Sequence, residues 1–312
     1  LDNSIYNDFL VNIDSTLISN QPYYAPYTLL IQIIYMSFGS LFGKAWLSVM
    51  VVSFWLFFYF EMRHYIHPLL AGILCLIAFL SPEMFAYTYL IQTDYSNAIF
   101  FVIAVTMFQR YFREGNLHYF ILSSLFFGLA CWTRTETIFF VPLIGLFMSY
   151  KDDFKKGIIY TIAFALLGVF GIVLWNYVFI GGVVPKAIEL GQFNFDFSNY
   201  FSRLFKTMDS MNSFIFNADY WGYSVTIPLV LIVVNLVIMR KRIELVNLIW
   251  IVGLYLIFGL IIQHVQGANV AYTFRRGFFK IILLLYIYLS MSGTLDWLSS
   301  YISKFAKRPM SS

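Results

Sequence analysis

Long apolar runs separated by short polar junctions set the pattern of this chain. A helix needs about 17–25 apolar residues to cross a bilayer. Read in windows of that size, the sequence predicts helices over 45–60, 68–85, 95–110, 118–133, 136–150, 157–180, 225–240, 246–264 and 277–295. A further apolar stretch, 26–41, is shorter and opens at Pro26, a residue suited to a first helical turn. It is expected to be a partial or interfacial helix. The predicted fold is all-α, an integral membrane, polytopic bundle of about nine to ten apolar helices. It forms one domain over 1–300, with 1–25 as part of an outer loop, 181–224 as a long outer loop, and 301–312 as a basic cytoplasmic tail. The 181–224 loop mixes aromatic and polar residues, a composition suited to helices lying at the membrane surface.

Charge gives the runs a direction. Alternate junctions carry Arg63; Arg110 and Arg113; Lys151, Lys155 and Lys156; Arg240, Lys241 and Arg242; and Lys304, Lys307 and Arg308. If the runs cross as drawn, all of these lie on one side, which basic loops mark as cytoplasmic. Composition agrees: 60% of residues are hydrophobic and 12% charged, against roughly 45–50% and about 25% in soluble domains. Cys75 and Cys131 lie inside apolar runs and are expected to pack as small hydrophobes, which points to neither a disulfide framework nor a metal cluster. No nucleotide-binding glycine loop and no internal repeat is visible, and nothing suggests a nucleic-acid partner.

The polar residues on the opposite, outer face are few. Asp94 stands at the start of the 95–110 run, preceded by Thr93. Helix capping explains a carboxylate there, and so does a place in an outward cavity; the two roles are compatible. Arg134 and Glu136 sit between two runs with almost no loop, either as a local ion pair or as the charged wall of a cavity. Arg275 and Arg276 open the last long run. They are either interfacial anchors or binders of phosphate oxygens, which the guanidinium fork fits. His264 ends the preceding run, as an interfacial polar residue or a ligand. Tyr24, in "QPYYAPYTLL", either starts an interfacial helix or lines a cavity.

Outward carboxylates beside outward arginines at lipid depth suit group transfer from a lipid-linked donor. Outside the cytoplasm a transferase needs a donor already activated, and a sugar on a polyprenyl phosphate is one. Its phosphate would meet Arg275 or Arg276, where fixed positive charge stabilises a leaving phosphate. A carboxylate would take the acceptor's proton. A divalent cation, magnesium or manganese, is a possible bridge between carboxylate and phosphate, with no ligand set evident.

The order "YYAPYTLLIQ", "LSPEMFAYTYLIQTDYSNAIFF", "LFFGLACWTRTETIFFVP" and "YTFRRGFF" resembles polytopic GT-C glycosyltransferases, and within them the bacterial protein-mannosyltransferase-like and aminoarabinose-transferase-like group. Tyr24-Ala25-Pro26, Thr93-Asp94, Thr133-Arg134-Thr135-Glu136 and Arg275-Arg276 carry the likeness, over roughly 15–290. It implies a GT-C-type bundle in the bacterial cytoplasmic membrane, with the active site facing the periplasm or exterior. It also implies transfer, with inversion, from a polyprenyl-phosphate-sugar donor to a lipid-linked glycan, polymer or protein acceptor among membrane lipids. The family's acidic pair in the first outer loop has no counterpart here; the acids before Tyr24 are Asp2, Asp8 and Asp14. Asp94 is the first choice of catalytic residue among those present; the expectation is also that a first helix and that acidic pair lie upstream, in which case Asp94 supports acceptor or metal binding. Otherwise Asp14 or Asp8 takes the role of base. Two rivals remain: a lipid-linked oligosaccharide polymerase or ligase, and a non-catalytic lipid-linked glycan transporter or flippase.

Overall fold

The computed structural model describes residues 27–90, 93–151, 153–174, 199–239, 245–265 and 268–306. The described residues are helical throughout, joined by short turns, and contain no strand. The helices are α1 (Tyr27–Met36), α2 (Ala45–Arg63, entered through a 3-10 turn over Ser40–Lys44), α3 (Pro68–Phe79), α4 (Pro82–Tyr87) and α5 (Thr93–Glu114). Then come α6 (Leu117–Thr133), a 3-10 turn (Thr135–Phe140), α7 (Val141–Lys151) and α8 (Phe154–Val173). The remainder are α9 (Tyr200–Ile215), α10 (Ala218–Trp221), α11 (Thr226–Val234), α12 (Leu245–His264), α13 (Arg275–Ser290) and α14 (Gly293–Ala306). Wider π turns over Asn235–Met239 and Val270–Phe274 follow α11 and precede α13.

The predicted runs shift where backbone chemistry interrupts them. The run 68–85 divides, because Pro82 has no N–H to continue a helix and starts α4 instead. The run 277–295 also divides, at Met291–Ser292, with α13 and α14 bent by 54°. Asn235 supports that bend: its Oδ1 accepts from the Thr294 backbone N–H at 3.1 Å, one of the donors that a starting helix leaves without an internal partner. The run 136–150 starts as a tighter 3-10 turn before becoming α7. The end of the run 157–180 and part of the 181–224 loop lie outside the described residues.

Among the described residues, two helical stretches suffice by length and composition to cross a membrane: Ser40–Arg63 and Phe154–Val173. A third is added if α13 and α14, with the π turn, count as one bent span, and five further apolar helices are shorter. Their outward faces are strongly apolar, with Leu41, Ile159, Leu166 and Phe170 all exposed.

The chain divides into two compact units, with boundaries inside α1 and α5. The first holds Ile103–Glu114 of α5 together with α6, α7 and α8. Phe164 of α8 is its centre, meeting Phe108, Phe120 and Phe127 at ring-centroid distances of 6.4, 5.8 and 4.8 Å. Ser123 Oγ donates to the Ala104 carbonyl at 2.7 Å, a polar tie between α5 and α6. Helices α7 and α8 approach closely because residue 157 is glycine. A Cβ there would stand 2.8 Å from the Ser149 backbone N and Cα.

The second unit is built around α13, in which every residue from Gly277 to Ser290 is buried. A helix enclosed on all sides must be largely apolar all round, and after its first six residues α13 is so but for the hydroxyls of Tyr286, Tyr288 and Ser290. Helices α2, α3, α11, α12 and α14 pack on it. Gly277 lets the Phe258 ring of α12 lie against the α13 backbone, in space that a Cβ would occupy. The Trp55 indole N–H donates to the Tyr95 hydroxyl at 2.9 Å and so ties α2 to the start of α5.

Candidate functional site

The site forms in the second unit, where α4, α5, α10 and α13 meet. It begins with Glu83, the only acid between Glu61 and Asp94. Pro82 starts α4 and puts Glu83 in the first turn, where the helix's positive end favours a carboxylate. The side chain is buried, a costly place for a charge without a partner. Arg275 supplies the partner. Its Nε donates to Glu83 Oε1 at 2.5 Å and its Nη2 to Oε2 at 2.7 Å, the two-pronged geometry that makes this pairing strong.

An aromatic wall holds the pair in place. The Arg275 guanidinium lies 4.3 Å from the Tyr220 ring centroid, well inside cation–π range. Tyr220 is stacked on Phe214 at 4.5 Å. Next to it, Trp221 packs edge-on against Phe278 at 4.9 Å, and Tyr87 meets Phe279 at 4.8 Å. Three elements far apart in sequence are thereby fixed to one another.

Asp94 lies one helix over. It sits in the first turn of α5 with its side chain 4% exposed. There the positive end of the helix favours a carboxylate. Arg276 Nη1 stands 3.6 Å from Asp94 Oδ2, an ion pair longer than a hydrogen bond. The Arg276 side chain is 32% exposed and passes 5.7 Å from the Tyr272 ring. Farther along the same two helices, Tyr95 faces Phe279, and Lys280 lies 5.5 Å from the Phe101 ring. These contacts bring the charged starts of α5 and α13 together. Lys280 is buried and also borders Phe258.

The other expected site residues are placed as follows. Arg134 and Glu136 belong to the first unit and pair with each other, Arg134 Nε lying 2.5 Å from Glu136 Oε1, both largely buried. Arg134 is extended where α6 ends, and that bend brings Glu136 alongside it. His264, the last residue of α12, stacks on Tyr200 at 5.7 Å. Asp14 and Tyr24 lie outside the described residues. Among the described residues, no three of His, Cys, Asp or Glu come together to hold a metal. The first unit also has a groove of about 500 Å³ between α6 and α8, lined by Leu125, Leu129, Trp132, Leu167 and Phe170 among others. It presents apolar side chains and glycine, and so no group for acid–base chemistry.

Sequence reasoning missed Glu83 and Tyr220. A lone carboxylate directly after Ser81-Pro82, inside an apolar run, was a readable signal for Glu83. Tyr220 gave none, because only chain folding brings α10 to α13. No protein-family model, curated protein or solved structure matches this chain.

Proposed function

We propose that this chain is a multi-pass bacterial cytoplasmic-membrane glycosyltransferase of GT-C type. It moves a sugar from a polyprenyl-phosphate donor to a cell-envelope acceptor at the outer face. The observation that carries the reading is the pairing of Asp94 with Arg276 where the first turns of α5 and α13 meet. One group is a buried carboxylate and the other a partly exposed cation, the two kinds of group the reaction requires.

In this reaction the acceptor oxygen forms a bond to the anomeric carbon as the bond from that carbon to the phosphate oxygen breaks. Asp94 takes the acceptor's hydroxyl proton. The electron pair leaves with the polyprenyl phosphate, and Arg276 stabilises the charge growing there. A single displacement inverts the anomeric centre. Arg275 serves by position, holding the start of α13 through Glu83. The apolar outer surfaces favour a bundle seated in lipid, and the charged end of α5 and α13 then faces away from the basic loops.

The test is transfer from radiolabelled polyprenyl-phosphate sugars to envelope extract by the protein reconstituted in liposomes. Asp94→Asn is expected to lower turnover by roughly 10²–10⁴-fold, and Arg276→Gln by about 10²–10³-fold, with both variants still eluting as folded protein. No transfer by the wild type from any such donor would sink the reading.

A further inference from the structure

Arg275 and Arg276 are adjacent but held in opposite ways. Arg275 is anchored, with two short hydrogen bonds to Glu83 and its plane against Tyr220. Arg276 reaches Asp94 only at 3.6 Å, without a hydrogen bond between those atoms, and a third of its side chain is open to solvent. Asp94 is 4% exposed and fixed in a helix whose neighbouring residue, Tyr95, is tied to Trp55. A phosphate offers the guanidinium two short charge-assisted bonds, better than a 3.6 Å contact provides. The long arm of Arg276 can turn to such an anion, whereas the buried carboxylate cannot follow.

We infer that Asp94 and Arg276 are an exchangeable pair: a phosphate-bearing ligand takes Arg276 away from Asp94, so that Arg276 is held either by the carboxylate or by the anion. A carboxylate relieved of its guanidinium is the better proton acceptor. On the transferase reading, binding of the donor would remove one cation from beside the base. The role of base rests on the transferase reading; the exchange itself is a binding event and stands apart from it.

Competition has an unusual signature, because removing the carboxylate should tighten the binding of phosphate. The experiment is calorimetry on the full chain in lipid nanodiscs, with farnesyl phosphate as probe and inorganic phosphate as a second arm. The set is wild type, Asp94→Asn, Arg276→Gln and the double variant. Asp94→Asn is expected to bind farnesyl phosphate roughly 2- to 5-fold more tightly, the worth of a partly exposed ion pair. Arg276→Gln should bind more weakly, and the gain from Asp94→Asn should vanish in the Arg276→Gln background. If Arg276→Gln does not fold, Arg276→Lys, which keeps charge but loses the fork, takes its place and should shrink the gain. Unchanged or weaker binding by Asp94→Asn overturns the exchange. So does a gain that persists without Arg276, since general field relief then explains it, and so does a wild type that binds neither probe. The same pattern with inorganic phosphate makes free phosphate a sufficient ligand, while a pattern confined to farnesyl phosphate makes the ligand lipid-linked. Tighter binding by Asp94→Asn in a protein that transfers no sugar would retain the exchange and discard the transferase. Transfer without the tightening would do the reverse.

Discussion

At the scale of single residues, the second unit solves a problem of buried charge twice, by different means. Glu83 receives a complete bidentate partner, whereas the contact between Asp94 and Arg276 is long. Taking one partner from a close pair leaves the other charge desolvated and unanswered, which costs more than the pair's net worth. Glu83→Gln is therefore expected to destabilise the protein by about 2 kcal/mol, below the range for fully enclosed pairs because Arg275 is 31% exposed. Adding Arg275→Gln should restore part of the loss, as the uncompensated cation is then gone. Thermal unfolding in detergent of both singles and the double checks this; a double variant no more stable than the worse single would mean the pair is not a unit. The sequence displays Asp94, Arg275 and Arg276 openly, since charges at the edges of apolar runs are few. Which arginine meets which acid was not legible, because consecutive helical residues point about 100° apart and their partners are set by the packing of α4 and α5.

At the scale of elements, most helices were visible as runs, but their interruptions depend on a few atoms. Pro82 is a local cause and was readable. The break between α13 and α14 was not, because part of its cause is Asn235, remote in the chain, accepting the Thr294 N–H. Close approach also turns on single positions. Gly157→Ala would drive a methyl group into the Ser149 backbone, which cannot yield as a side chain does. It should cost about 1–3 kcal/mol, the usual penalty of overpacking. Gly72→Ala is the contrast: the nearest atom to its Cβ is a Tyr59 ring carbon at 4.0 Å. There the helix propensity of alanine should dominate and raise stability by roughly 0.5–1 kcal/mol. Opposite shifts in unfolding temperature would confirm the packing of α7 on α8, and a harmless Gly157→Ala would refute it.

At the scale of the whole molecule, the question is which ends of which helices share a side of the membrane. Helix α5 poses it directly. Its 22 residues span about 33 Å at 1.5 Å per residue, enough for a hydrocarbon core of about 30 Å. Asp94 stands at one end and Arg113 at the other. It is more polar than a lipid-facing span, yet Tyr95 through Phe108 are almost all buried. A helix shielded by protein need not be apolar, and so length together with charge at its ends is the better sign of crossing. On the proposed reading, basic Arg110 and Arg113 would mark a cytoplasmic end, and the end holding Asp94, Arg276 and the Tyr220 wall would lie outside. In a background without native cysteine, Asp219→Cys next to Tyr220 and Glu114→Cys at the other end of α5 are both at exposed positions. Intact cells treated with a membrane-impermeant maleimide should label Asp219→Cys, and Glu114→Cys should react only after permeabilisation. If both label from outside, α5 does not cross, and a transferase site at its outer end is lost with it. If only Glu114→Cys labels, the site opens to the cytoplasm, where nucleotide-activated sugars make a lipid-linked donor unnecessary.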